Sequence, residues 1–276
     1  MKQKNMSLTI AADNDEMGKI ACEQAVEKLK YYTKKLKKEV LIVFAAAPSQ
    51  DTFLKCLAKQ EDIDWNLVTA FHLDEYLDLP EDHPNTFKTY LNDNIFGKVQ
   101  IPEDKIHYIK DVRGPAENVA RAYGKAFTAE LARIKKSGGK YLAFIGIGVN
   151  GHIAFNEPNS DIYSSQAFLN IQIDEVSVKQ QFDDYKDHLD PNARYASLDD
   201  VPRNAITLSC AGILAADTLY CMVPGSQKAS AVKGFIEDPI GERLPATLLR
   251  LHHDINVYID QDSAAQMAKQ PELAVM

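Results

Sequence analysis

Val40-Leu41-Ile42-Val43-Phe44 sets five apolar residues in a row, with no polar residue among them to mark a wetted face. A strand built from such a run must be covered on both sides, a demand typical of parallel sheets flanked by helices. Runs of similar length recur at 67–73, 141–145, 218–223 and 255–259. Longer amphipathic stretches separate them. In 118–136, Val119, Ala122, Tyr123, Ala126, Phe127, Leu131 and Ile134 recur at helical spacing, and Ser137-Gly138-Gly139 is expected to end that helix. Asp13 is placed to cap an earlier helix, with Glu16 completing a capping box and Met17, Ile20, Ala21 and Gln24 along one side. Further helices are expected at about 52–59, after Gly225, and around 245–251. Strands and helices alternating in this way predict an α/β fold, a three-layer αβα arrangement with a mostly parallel, Rossmann-like sheet. No repeat or linker divides the chain, so one domain is expected over residues 1–276. A flap is expected at about 160–190, centred on the acidic, aromatic stretch 174–190. Composition alone fits a solvated surface excursion there equally well.

Parallel strands bring their carboxyl ends to one edge, and ligands bind in the crevice outside that edge. The residues just after each apolar run are therefore the ones to read for chemistry. The net charge of −8 argues against a dedicated nucleic-acid or membrane-surface binder, but a site for an anion needs only local donors. No apolar run approaches the roughly 20 residues of a membrane span, and the opening Met1-Lys2-Gln3-Lys4-Asn5-Met6 has no signal-peptide core. The expected partner is a small molecule, with neither nucleic acid nor membrane; a homo-oligomer is compatible with the sequence. Four cysteines, Cys22, Cys56, Cys210 and Cys221, are too few and scattered for a disulfide framework or zinc knuckle. Most read as buried thiols, which points to a reducing cytoplasm.

Three segments carry candidate chemistry. Gly146-Ile147-Gly148-Val149-Asn150-Gly151 follows a predicted strand and matches the dinucleotide pattern G-x-G-x-x-G. That pattern needs a helix opening at its third glycine, and Pro158 falls where the helix interior would lie. The segment reads better as a compact turn that places His152 and Glu157 together, a histidine–carboxylate pair suited to proton transfer near neutrality. A structural turn with a satisfied histidine fits the spacing equally well. Asp74-Glu75 follows the strand ending at Leu73 and is either catalytic or a cap. Val223-Pro224-Gly225-Ser226-Gln227-Lys228 offers a helix N-terminus and a cation to an anionic ligand, or is an ordinary capped helix.

Together these segments resemble the glucosamine-6-phosphate deaminase/isomerase family. Phe71-His72-Leu73-Asp74-Glu75-Tyr76, followed by Leu79-Pro80 and His83-Pro84, is similar to its M/L-D-E-Y…LP…HP segment. Gly146 to Pro158 is similar to its G-x-G-x-[ND]-G-H-I-[AG]-F-N-E-P signature, and Gly225-Ser226-Gln227-Lys228-Ala229 to its G-x-x-K-A segment. The likeness runs from about residue 13 to about residue 260. It implies an aldose–ketose isomerisation coupled to loss of ammonia, with no metal or organic cofactor. By the resemblance, Asp74 moves a proton between C2 and C1, His152 assists ring opening, Glu157 tunes it, and Asn150 hydrogen-bonds the histidine without supplying charge.

The chain departs from the family at the anionic end. A T-G-x-T-P-type phosphate loop is replaced by Ala45-Ala46-Ala47-Pro48-Ser49-Gln50, and Gln181 stands where some members carry a phosphate-binding arginine. Ala46, Ala47, Ser49, Gln181 and Lys228 are still expected to line this end, with Lys228 carrying most of the charge. Ala167 and Leu169 stand where some members bind an allosteric activator. A 6-phosphogluconolactonase, which shares the implied fold, is disfavoured by Tyr76 and by Ala154-Phe155-Asn156-Glu157. A sugar-sensing regulator is disfavoured because the first 40 residues hold no pair of helices for DNA.

Overall fold

In the computed structural model, residues 5–267 are described. The first four residues and 268–276, the outer ends of the expected domain and of the opening stretch, lie outside them. The strands are β1 (Asn5–Ala11), β2 (Val40–Phe44), β3 (Val68–His72), β4 (Asp74–Tyr76), β5 (Ile106–His107), β6 (Lys140–Ile145), β7 (Phe168–Gln172), β8 (Asn204–Leu208), β9 (Thr218–Val223) and β10 (Asp254–Asp260). The helices are α1 (Asn14–Lys30), α2 (Asp51–Leu57), α3 (Phe87–Leu91), α4 (Ala116–Lys136), α5 (Glu175–Tyr185), α6 (Cys210–Leu214) and α7 (Ala229–Glu237). Residues Pro245–Leu251 form a 3-10 helix where an α-helix was expected, entered through Pro245.

Seven strands form one sheet in the order β1-β10-β9-β6-β2-β3-β5, and every neighbouring pair is parallel. The fully buried β2 lies inside the sheet, between β6 and β3, as its apolar run requires. Val40, Ile42 and Phe44 point into the layer formed with α1 and α2, whereas Leu41 and Val43 point into the layer of α4, α6 and α7. This is the three-layer αβα arrangement.

Local chemistry sets the helix ends. Asp13 Oδ1 accepts from the Glu16 N–H at 2.8 Å, and Glu16 Oε2 accepts from the Ala12 N–H at 2.6 Å, one residue before the reciprocal partner of a standard capping box. Gln24 is exposed at the rim of α1, where its Oε1 accepts from Tyr258 Oη. At the end of α4, Gly138 takes φ +78°. Its N–H reaches the Lys135 carbonyl and that of Gly139 reaches Ile134, the paired bonds of a Schellman stop.

A second sheet, β4-β8-β7, is antiparallel and was not anticipated. Leu73 joins the two sheets. Its N–H donates to the Phe44 carbonyl at 2.9 Å, and its carbonyl accepts from the Leu208 N–H at 2.8 Å. The chain thus leaves the parallel sheet at Leu73 and enters the antiparallel one at Asp74. The region expected to be a flap supplies β7 to this sheet and then α5, capped by Asp174.

Cys22 and Cys56 form a disulfide between α1 and α2, so the reading of most of the four cysteines as buried thiols is corrected to two. Cys210 and Cys221 are free and buried, and burial pushes Cys210 up to about 12. Among the described residues no helix is long and apolar enough to cross a membrane.

Candidate active site

β2 is followed in the chain by β3 on one side of it and is paired on its other side with β6, whose own chain continues away from β3. Carboxyl ends that diverge in this way open a crevice between them. A cavity lies there. It is lined by Ala45, Ala46, Ala47 and Ser49 after β2, Leu73 and Asp74 after β3, Gly146, Ile147, Gly148 and His152 after β6, and Gln180, Gln181 and Lys228.

Adjacent carboxylates Asp74 and Glu75 part at this point because successive strand residues face opposite ways. Asp74 lines the cavity and is 7% exposed. Burial lifts its carboxyl well above the usual range, and the nearby Glu75 adds to the effect. Glu75 instead caps α3. It accepts from the N–H of Phe87 and Tyr76 at Oε1 and of Lys88 at Oε2, over 2.8–3.0 Å. The cap reading thus falls to Glu75, while Asp74 is left facing the cavity. His72 is a core histidine whose Nε2 accepts from the Ile109 N–H, and burial holds it neutral with a pKa of about 3.

The glycine-rich segment makes a tight turn. No helix opens at Gly151, so the helix N-terminus needed for a pyrophosphate is not formed. The Gly148 N–H donates to the His152 carbonyl and the Gly151 N–H to the Gly148 carbonyl. A Cβ on Gly148 would sit 2.1 Å from His152 Cε1, so the ring can lie on this backbone only because a glycine is there. Ala154 sits at φ +52°, a left-handed conformation that costs a non-glycine residue and is typical of functional turns.

Thr207, which no motif singled out, joins the segments of Asp74 and His152. It pairs with Asp74 across β4 and β8, and its Oγ1 accepts from the Phe155 N–H at 2.9 Å. Asn156 Nδ2 donates to the Ile153 and Leu208 carbonyls and pins the same turn.

His152 Nδ1 lies 3.4 Å from Glu157 Oε2 and 2.9 Å from Ser177 Oγ. Burial acts to raise the Glu157 carboxyl, but His152, Ser177 and Asn150 together hold it below its ordinary value. Asn150 hydrogen-bonds the histidine as expected, but at its backbone and not at the imidazole. Its Oδ1 accepts from the His152 backbone N–H at 3.1 Å. Its Nδ2 donates to Glu157 Oε2 at 2.9 Å and to Asp174 Oδ2 at 3.0 Å, which ties the turn to the start of α5.

At the anionic end, the Ala45 N–H is used by the Phe144 carbonyl. The N–H groups of Ala46 and Ala47 have no protein partner among the described residues, and both residues line the cavity. Pro48 starts a 3-10 turn closed by the Gln50 N–H onto the Ala47 carbonyl at 2.8 Å. Ser49 Oγ accepts from Gln50 Nε2. Lys228 is buried and lines the cavity, and burial lowers it to about 8 against the charge of Asp184. Its Nζ donates to Gln180 Oε1 at 3.1 Å, the same oxygen that accepts from the Val149 N–H at 3.0 Å. The Gly225 N–H, expected to be free for an anion, donates to both oxygens of Asp260 at the end of β10.

Ser177, Gln180, Asp174 and Thr207 were missed. The first three were legible in principle as the cap and one face of a helix, since Asp174, Ser177 and Gln180 stand at steps of three residues. Among the described residues no group of three or more His, Cys, Asp or Glu side chains is arranged to hold a metal.

The family model described as glucosamine-6-phosphate isomerases/6-phosphogluconolactonase matches residues 12–258. The chain belongs to this family. A glucosamine-6-phosphate deaminase of Clostridium perfringens is 30% identical over 264 residues, covering 94% of this chain and 98% of its own. One from Thermoanaerobacter sp. is 29% identical and covers 94% of each. Among solved structures, a monomeric glucosamine-6-phosphate deaminase superposes with a TM-score of 0.80 at 25% identity, over 94% of this chain and 99% of its own. A 6-phosphogluconolactonase from Trypanosoma brucei has a TM-score of 0.71 at 18% identity over 96% of this chain and all of its own, a likeness of fold alone. Within the glucosamine-6-phosphate isomerase/6-phosphogluconolactonase family, the chain therefore shares whole-length similarity in sequence with deaminases and shares its fold with lactonases.

Proposed function

We propose that this protein is an amino-sugar phosphate isomerase/deaminase, converting glucosamine 6-phosphate, or a close relative such as galactosamine 6-phosphate, to a ketose 6-phosphate and ammonia. The observation that carries the reading is the shared cavity of Asp74 and His152, a desolvated carboxylate facing an imidazole held by a carboxylate. His152 takes the O1 proton of the pyranose and returns one to the ring oxygen, which opens the ring to the aldehyde. Asp74, made more basic by burial, removes the C2 proton to give an enolamine and delivers a proton to C1. The resulting ketimine takes up water and releases ammonia and the ketose. Ala46, Ala47 and Lys228 face the phosphate. A charged sugar phosphate does not cross membranes unaided, which supports action in the cytoplasm.

The test is ammonia release with parallel detection of ketose phosphate, run on glucosamine 6-phosphate, galactosamine 6-phosphate and both unphosphorylated sugars. Equal amounts of the two products from one phosphorylated sugar are expected. Hydrolysis of 6-phosphogluconolactone without ammonia release from any amino sugar would replace the reading with a lactonase.

A further inference from the structure

Ser177 lies outside the three segments that carry the family likeness, and the proposed reaction has no step that calls for a hydroxyl on α5. Its side chain is nevertheless fully buried, with Oγ 2.9 Å from His152 Nδ1. Glu157 Oε2 is farther from the same nitrogen, at 3.4 Å, so the hydroxyl is the nearer partner of the imidazole. The backbone of Ser177 is fixed independently. Its N–H donates to the capping carboxylate of Asp174 at 2.8 Å, which leaves Oγ free for a tertiary contact.

The donors and acceptors around Nδ1 order themselves. An ionised Glu157 can only accept, whereas a hydroxyl both accepts and donates. Nδ1 lies within reach of both the carboxylate and the hydroxyl, and a protonated Nδ1 is the form that finds an acceptor in each. The hydroxyl oxygen then accepts from Nδ1–H. Nε2 has no hydrogen-bond partner among the described residues, and His152 lines the cavity. Nε2 is thus the nitrogen left with a lone pair for substrate.

We propose that Ser177 is a positioning residue for His152, its hydroxyl fixing the tautomer and the orientation of the imidazole when α5 is seated over the cavity. The inference rests on the proposed part of His152 in ring opening. It also gives α5 a chemical task. Without the helix in place, His152 keeps Glu157 but loses its closer partner, and either nitrogen can carry the proton.

The test uses the full chain carrying Ser177→Ala, with Ser177→Thr as the variant that keeps the hydroxyl. Imidazole nitrogen resonances of uniformly 15N-labelled protein are assigned to His152 by their disappearance in His152→Gln. In the wild type, Nδ1 is expected to resonate as a protonated nitrogen and Nε2 as an unprotonated one. Ser177→Ala should bring the two resonances closer together and lower kcat about tenfold or more, with KM for glucosamine 6-phosphate within about twofold of wild type. Ser177→Thr should restore both. A thermal-unfolding midpoint for each variant separates these effects from loss of fold. Unchanged His152 resonances in a folded Ser177→Ala protein would overturn the proposal, whatever the rate. If the wild type releases ammonia from no amino sugar, the proposed function fails, while the nitrogen resonances still decide the role of Ser177.

Discussion

Asp74 and Glu75 differ by one position in a strand, and their burial has opposite purposes. Glu75 receives three backbone N–H donors, whereas no hydrogen bond to the Asp74 carboxylate offsets its burial among the described residues. The folded protein therefore holds the Asp74 proton more tightly than the unfolded chain does. That contribution is fully present below the ordinary carboxylate pKa and is lost as pH rises through the raised value, so burial of the ionised form weakens the fold. Asp74→Asn should lower kcat by about 10²–10⁴ while leaving KM nearly unchanged, and should raise the melting temperature at pH 8. Near-normal turnover would remove Asp74 as the base, and a lower melting temperature would contradict its unfavourable burial. Lys228 is perturbed in the other sense. Burial brings it to about 8, so its charge is present below that pH and fades above it. KM for phosphorylated substrate should rise through the alkaline range, and Lys228→Arg should flatten the rise because a guanidinium stays charged. Initial rates from pH 7 to 9.5 decide this; a flat KM for the wild type would show that the phosphate is held without Lys228.

Helix α5 is the element on which the site depends most and which the sequence showed least. Its aromatic and acidic residues suggested a flap or a solvated excursion, and composition does not reveal that Ser177, Val178, Gln181 and Tyr185 are buried along one side. The small antiparallel sheet was hidden for a related reason. β4 has three residues and β8 only five, too short for a clear period, and their pairing is visible only once the parallel sheet has brought Leu73 beside Leu208. By contrast, β2, β6 and β9 were plain because a strand buried on both faces needs an unbroken apolar run. The G-x-G turn was legible through Pro158, which rules out a helix whatever the tertiary context. Gln180 binds α5 to both Lys228 and Val149 through one amide oxygen. Gln180→Glu keeps an acceptor for Val149 but sets a carboxylate against the lysine, in competition with the phosphate. It should raise KM for phosphorylated substrate by about tenfold, roughly 1.4 kcal/mol, with a smaller change in kcat. Unchanged KM would mean that Lys228 and Gln180 do not face the anion.

At the scale of the whole molecule, stability and chemistry occupy different parts of the sheet. The residues proposed to act on the substrate collect at the carboxyl ends of β2, β3 and β6, whereas α1 and α2 cover one face of the sheet through close helix contact. Gly18 of α1 lies so near Thr52 of α2 that a Cβ there would come within 2.7 Å of the threonine Cβ. One helical turn further along each helix come Cys22 and Cys56, with Cα atoms 6.2 Å apart, inside the range a disulfide spans. The bridge therefore follows from the register of two parallel-running helices, which no count of scattered cysteines could reveal. Its sequence separation of 34 residues predicts a stabilisation of about 3–4 kcal/mol through loss of freedom in the unfolded chain. Dithiothreitol should accordingly lower the melting temperature of the wild type by several degrees, while Cys56→Ser should melt at the lower temperature with or without reductant. Neither cysteine lines the cavity, so ammonia release per folded molecule at 25 °C should be the same in both redox states. Scanning calorimetry with and without reductant, paired with the rate assay, tests both halves of this expectation. A wild-type melting temperature indifferent to reductant would show that packing at Gly18 holds the two helices without the bond, and a rate that fell on reduction would show that α2 transmits strain to the 45–50 loop that precedes it.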